Sequence, residues 1–145
     1  MIYDLSKHNV IAASYVAELR DEIIQKDAMR FRKNLERLGT FFAFEISRTL
    51  SYKHVETITP LGIANSAVLI QQPVLATILR AGLPMHHGFL SVFDQAESAF
   101  ITAYRKTKKS GDFVIQMEHI SAPSLEGKTV ILIDPMLATG LSIVL

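Results

Sequence analysis

Apolar and polar residues are patterned in three ways along this chain, and each pattern predicts a different kind of element. Phe31, Leu35, Leu38, Phe42, Ile46 and Leu50 recur at spacings of three and four, which is one face of a helix. Arg30, Lys33, Arg37 and Arg48 fall largely off that stripe, and Asp27 stands where an N-cap belongs. Gly39 lies inside the same stretch and marks either close packing or a break. An earlier helix is expected around Ala12 to Gln25.

The second pattern begins at His54. Val55, Ile58 and the turn Thr59-Pro60-Leu61-Gly62 predict a short strand and its reversal, with Ser66 to Gln71 returning as a second strand. That pair reads equally well as an ordinary surface hairpin or as an arm lying on another subunit.

The third pattern is the unbroken apolar run. Val74 to Leu79 and Val130 to Ile133 show no alternation, which suits strands buried on both faces in the middle of a parallel sheet. Ala99 to Tyr104 and Phe113 to Ile120 are further strands. The connector Arg105 to Asp112 between them carries Arg105, Lys106, Lys108 and Lys109 and is expected to be mobile. Leu83 to Phe93 has helical content, with Pro84 in its first turn and Gly88 weakening it. Glu126-Gly127-Lys128 forms a turn into the strand that opens at Thr129. Strands alternating with helices, plus one hairpin, give an α/β fold: a mainly parallel sheet flanked by helices, with a β-hairpin arm.

Composition narrows the class. At 145 residues, with 49% hydrophobic and 20% charged side chains, the chain is expected to be one globular domain, 1–145. A net charge of +1 gives no strongly basic face, so general nucleic-acid binding is not expected. The absence of cysteine excludes disulfides, thiolate metal sites and a cysteine nucleophile. Met1 to Val10 includes Asp4, Lys7 and His8 and lacks the apolar centre of a signal peptide. No apolar run approaches the roughly 18 residues of a membrane-spanning helix. The expectation is a cytoplasmic protein with no membrane contact. The five histidines form no metal site: His86 and His87 are adjacent, and His8, His54 and His119 lack ligand-like spacing. Surface or packing roles are expected for them.

The chemistry sits at strand ends. In open parallel sheets ligands bind beyond the carboxyl ends of the strands, and Asp134 to Gly140 follow the run Val130 to Ile133. A small-residue loop opening a helix offers backbone N–H groups to an anion, and an adjacent acid accepts hydrogen bonds from sugar hydroxyls. Arg80-Ala81-Gly82 and Tyr104-Arg105-Lys106 end two other strands. If those strands are parallel neighbours, two cations, one carboxylate and one amide-lined loop share a rim. A sugar between two phosphate-bearing ends fits that inventory.

Three segments carry a resemblance: Ile78-Leu79-Arg80-Ala81-Gly82-Leu83, Ala103-Tyr104-Arg105-Lys106 and Asp134-Pro135-Met136-Leu137-Ala138-Thr139-Gly140. Together they resemble the uracil phosphoribosyltransferases of the type I phosphoribosyltransferase fold. Phe31 to Leu35, Phe-Arg-Lys-Asn-Leu, also resembles that family's N-terminal helix. Asp134-Pro135 stands where most phosphoribosyltransferases carry two adjacent acids, and this pair is characteristic of the uracil branch.

The resemblance implies transfer of a 5-phosphoribosyl group from phosphoribosyl pyrophosphate to uracil, giving uridine monophosphate and pyrophosphate. It implies that Ala138, Thr139 and Gly140, with Leu141 and Ser142, cradle the 5′-phosphate, in a loop that also holds Met136 and Leu137. Asp134 would hold the ribose hydroxyls, Arg80 with Ala81 and Gly82 the pyrophosphate, and Arg105 would fold in to neutralise the leaving group. Arg80, Arg105 and Asp134 are thus the expected catalytic residues. Magnesium is expected to accompany the donor, held mostly by donor oxygens and water rather than by protein ligands. A homodimer is implied, with Thr59 to Ile70 as the intersubunit arm.

Two features depart from the family pattern. Leu141 replaces a small residue that commonly follows Ala-Thr-Gly, so its side chain must point away from the phosphate. The segment by which the family recognises uracil lies beyond the phosphate loop and has no counterpart before Leu145. Leu141 to Leu145 also opens a helix of little more than one turn. The chain is therefore expected to be truncated at its C-terminus, with a donor half-site and no activity alone. Two rival functions remain on the sequence: a non-catalytic regulator that senses nucleotides or binds RNA, which calls for a basic surface beyond Arg105, and a phosphoribosyltransferase for another base.

Overall fold

The structure, a computed structural model, describes residue 4 and residues 10–107 and 113–136. Helix α1 (Ala12–Arg20) leads through a 3₁₀ turn (Ile24–Lys26) into α2 (Ala28–Ser47). A hairpin follows, β1 (Tyr52–Thr59) and β2 (Gly62–Leu69), and then β3 (Val74–Leu79) and α3 (Leu83–Leu90). The remaining strands are β4 (Glu97–Thr107), β5 (Phe113–Ser121) and β6 (Val130–Ile133).

Local chemistry sets the helix bounds. The Asp27 carboxylate accepts from the backbone N–H groups of Met29 and Arg30, both at 3.0 Å, and so caps α2 as expected. The earlier helix is shorter than its apolar content suggests. The Asp21 side chain takes the amides of Ile23 and Ile24, each at 2.8 Å, and its backbone is extended. That local hydrogen bonding stops α1 at Arg20 and starts the 3₁₀ turn. Leu35 and Leu38 of the α2 stripe are buried, and Phe42, Ile46 and Leu50 pack partly against the same core. Gly39 marks close packing rather than a break: a Cβ there would lie 2.2 Å from the Met85 carbonyl oxygen on α3.

The main sheet has the order β5-β4-β3-β6. β3 runs parallel to both β4 and β6, and β5 is antiparallel to β4. β3 matches the expected residues and is buried from Val74 to Ile78, as its unbroken apolar run requires. β6 differs from expectation. Among the described residues it is an edge strand, paired only with β3. Ile131 and Ile133 join the core with Leu35, Leu38, Met85 and Phe89 of α2 and α3, whereas Val130 and Leu132 are 40% and 43% exposed. Successive strand residues face opposite ways, so one helical layer buries only every second side chain.

The hairpin and the basic connector are also redrawn. β1 and β2 pair from Tyr52↔Leu69 to Thr59↔Gly62, so the return strand opens at Gly62, not Ser66. Gly62, at φ +133°, supplies the turn conformation that side chains resist. β4 runs on through Arg105, Lys106 and Thr107, which pair with Ile115, Val114 and Phe113. Arg105 to Thr107 therefore belong to a ladder rather than to the mobile connector expected there; residues 108–112 lie outside the described residues, as does the helix expected from Leu141. Among the described residues no helix is long and apolar enough to cross a membrane.

Candidate functional site

Strand ends build the site. β3 stops at Leu79, and Arg80-Ala81-Gly82 turn the chain into α3, with Gly82 N–H donating to the Ile78 carbonyl at 3.1 Å and Leu83 N–H to that of Arg80 at 3.2 Å. The Leu79–Arg80 peptide is cis. Pro84 occupies the first turn of α3, where its missing N–H costs no helical hydrogen bond. Arg80 and Ala81 are exposed, and Gly82 is buried beneath them. Glycine is required at 82 by space: a Cβ would lie 2.0 Å from Thr77 Oγ1, 3.0 Å from the Ile78 oxygen and 3.2 Å from the Ile133 oxygen.

The acid arrives from the neighbouring strand. Thr77 pairs with Ile133 across β3 and β6, so Asp134 begins its loop one residue beyond the pair and Arg80 stands three residues beyond Thr77 on the adjacent strand. Both occupy the carboxyl-end rim of the parallel layer. The fully buried Thr77 hydroxyl donates to the Ile133 carbonyl at 3.0 Å. Asp134 and Pro135 are half-buried and Met136 is exposed.

Arg105 reaches the same end by a different route. The last β3–β4 pair is Leu79↔Thr102, so Arg105 lies three residues further along β4, on the part of the β4–β5 ladder that overhangs the rim. A register shift between Thr102 and Ala103 is the kind of irregularity that bends a strand locally. The structure thus brings Arg80, Ala81, Gly82 and Asp134 together and puts the Arg105 backbone beyond them. Leu137, Ala138, Thr139, Gly140, Leu141 and Ser142 lie outside the described residues. A cation and a carboxylate at one rim can bind an anionic group and a hydroxyl-bearing group at once. The hollow of about 430 Å³ behind Pro135 and Met136 is lined by Val16, Leu19, Leu35, Phe42 and Met85, among others. Its walls are mostly apolar, with Arg20 the charged side chain among them.

One buried residue escaped the sequence reading, and a second took one of the two roles expected for it. Thr77 looked like one more β-former in an aliphatic run, and only its hydroxyl set it apart. His86, read as a surface or packing residue, packs: it is 1% exposed, with its ring 5.3 Å from that of Phe100. Burial lowers its pKa, and the nearby His87 lowers it further. The Leu75 backbone beside the ring opposes this in part.

An arginine turn and an acid at the carboxyl ends of parallel strands define an α/β protein with its candidate ligand groups at the rim where open sheets of this class bind their ligands. Residues 5–145 match the family model described as uracil phosphoribosyltransferase. The uracil phosphoribosyltransferase of Porphyromonas gingivalis is 47% identical over 141 residues, covering 97% of this chain and 65% of that protein. The uracil phosphoribosyltransferase of Methanothermobacter thermautotrophicus is 37% identical over 116 residues, covering 79% and 53%. The solved structure of the AQ2163 protein from Aquifex aeolicus matches with a TM-score of 0.83 and 28% identity, over 99% of this chain and 66% of that one. The chain belongs to the uracil phosphoribosyltransferase family. It spans 65% and 53% of the length of these two named relatives.

Proposed function

We propose that this chain supplies the donor-binding part of an enzyme that transfers a 5-phosphoribosyl group from phosphoribosyl pyrophosphate to N1 of uracil, a step of pyrimidine salvage. One observation carries the reading: the Arg80-Ala81-Gly82 turn and Asp134 stand at the carboxyl ends of paired parallel strands, in a chain of this family. In the reaction the bond from ribose C1 to pyrophosphate oxygen breaks, and its electron pair leaves with pyrophosphate. The C1–N1 bond forms, and the N1 proton is released. Positive charge builds on the sugar and negative charge on the leaving group, which placed cations and dipoles stabilise better than a dedicated base.

Each residue has a place in that separation of charge. Arg80 and the exposed Ala81 backbone receive the pyrophosphate. Asp134 accepts hydrogen bonds from the ribose hydroxyls and fixes C1 relative to Arg80. Arg105, on the overhanging strand, takes part of the leaving group's charge. By sequence position, Ala138, Thr139, Gly140, Leu141 and Ser142 bind the 5′-phosphate.

Magnesium fits this rim as a companion of the donor. The ion usually keeps most of its shell in phosphate oxygens and water, so the donor itself would hold it and Asp134 would stay with the ribose hydroxyls. Bound there, it would offset the charge of the pyrophosphate.

A homodimer is part of the same proposal, joined through the β1–β2 arm, where Ile58 is 89% exposed and Leu61 and Ile63 are open to solvent. A cytoplasmic location is favoured by the donor, whose charge keeps it inside the cell.

Calorimetric titration of the chain with phosphoribosyl pyrophosphate and magnesium tests the donor half. Saturable one-site binding that Arg80→Ala and Asp134→Ala each weaken is expected, and absence of binding overturns the reading. Base choice is tested by offering uracil, cytosine and hypoxanthine with the donor to the protein purified from its own cells. Product from uracil alone is expected, and product from another base alone overturns that part.

A further inference from the structure

We infer that Thr77 is a positioning residue that sets the distance between the two halves of the donor site. This rests on the donor reading above. Thr77 sits in the middle of the site's framework and outside its solvent-facing surface. It is fully buried in β3, three residues before Arg80. Its hydroxyl donates to the carbonyl of Ile133, the residue that precedes Asp134. The same oxygen lies against the backbone of Gly82, where a Cβ would approach to 2.0 Å. One side chain therefore touches both the turn assigned to pyrophosphate and the strand end that launches the acid.

The contact is specific in its chemistry. A valine at 77 fills nearly the same volume but cannot donate, so it leaves the Ile133 carbonyl without this partner. It also sets a methyl group where the Gly82 backbone passes. Serine keeps the donor. A ligand that occupies both subsites at once needs them at a fixed separation, because misplacement by about 1 Å can cost about 100-fold in rate. A ligand that occupies one subsite has no such need.

That difference separates positioning from general stability. Calorimetry on the purified chain compares three probes: phosphoribosyl pyrophosphate, pyrophosphate alone and ribose 5-phosphate alone, each with magnesium. In Thr77→Val the complete donor is expected to bind at least about 10-fold more weakly, because its two ends no longer seat at once and the advantage of linking them is lost, while the two single-subsite probes change by less than about 3-fold. Thr77→Ser should recover most of the donor's affinity. In the unliganded protein, the Gly82 and Asp134 amide resonances should both move in Thr77→Val. Equal weakening of all three probes, or unchanged donor affinity, overturns the assignment, as does a shift at one amide without the other. Failure of the donor reading is seen separately, as wild-type protein that binds none of the three probes, and the assignment falls with it.

Discussion

Gly39 of α2 and Gly88 of α3 bring the two helices together backbone to backbone. A Cβ on Gly39 would lie 3.2 Å from the Gly88 Cα, and a Cβ on Gly88 would lie 2.0 Å from the Glu36 carbonyl oxygen. The Thr40 hydroxyl bridges to Ser91 Oγ at 3.2 Å along the same seam. Because the nearest atoms are backbone, no rotamer change relieves an added methyl group. Gly39→Ala and Gly88→Ala are each expected to destabilise the fold by about 1–3 kcal/mol, the usual cost of overpacking. Urea unfolding of the single variants measures this. The double variant should fall short of the sum, since the first substitution already parts the helices.

The buried imidazole of His86 makes stability depend on pH. Its pKa lies below the ordinary value, chiefly because burial disfavours the charged form. The unfolded chain takes up a proton near pH 6.5, and the folded chain only at lower pH. Between those two values the unfolded state holds more protons, so stability falls as pH falls. Above about 6.5 this group adds no slope. Within the window each pH unit costs at most about 1.4 kcal/mol for a single group. Thermal melts between pH 8 and pH 5 should show the loss, and His86→Leu should flatten the part of the curve that His86 causes.

Much of this architecture was legible in the sequence, and the misses have physical reasons. The Asp27 cap and the bounds of β3 depend on local geometry and on one continuous apolar run, so they could be read directly. The edge position of β6 could not, because four apolar residues say nothing about how many neighbours a strand will have. Arg105 and Lys106 read as loop because charge usually marks solvated turns. A ladder joined through backbone groups places no such demand on its side chains. At the rim, the strand-end positions of Arg80 and Asp134 could be read because each follows an apolar run. The contact of Thr77 could not, because its acceptor lies 56 residues away.

Arg80 offers the most direct test of the chemistry proposed for the rim. It is exposed and takes no part in the packed core. Arg80→Ala should leave the melting temperature close to wild type. In the active enzyme it should lower turnover by about 100- to 1,000-fold, the range found for loss of one transition-state donor. Arg80→Lys keeps the charge without the planar fork and should recover only part of that. Steady-state kinetics with both substrates saturating decides the matter, and near-normal turnover in folded Arg80→Ala removes Arg80 from the mechanism.

Asn34 locks α1 onto α2 from a buried position. Its amide nitrogen donates to Glu18 at 2.7 Å, and its oxygen accepts from Arg37 at 3.0 Å. Arg37 also lies over the Tyr15 ring, 5.1 Å from its centroid. Asn34→Ala is expected to cost about 1–3 kcal/mol by removing hydrogen bonds to two charged groups, the half-buried Glu18 and the exposed Arg37. Hydrogen exchange should speed up in α1 before it does so in β3.

The arm makes a prediction about assembly. Ile58→Asp and Leu61→Asp place charge on residues that are exposed in the single chain, so neither should lower the stability of the monomer by more than about 0.5 kcal/mol. Light scattering should nevertheless show a shift from dimer to monomer. A dimer that survives both substitutions together would remove the arm from the proposed interface.

The hairpin closes at its base through the Ile70 N–H, which donates to the Ser51 carbonyl at 3.0 Å. The chain therefore leaves the body and re-enters it at adjacent points. Tyr52 to Leu69 form a detachable cassette whose excision leaves a gap that a short linker can bridge. A change in the length or sequence of this cassette is therefore expected to leave the strand ends at Arg80 and Asp134 where they are.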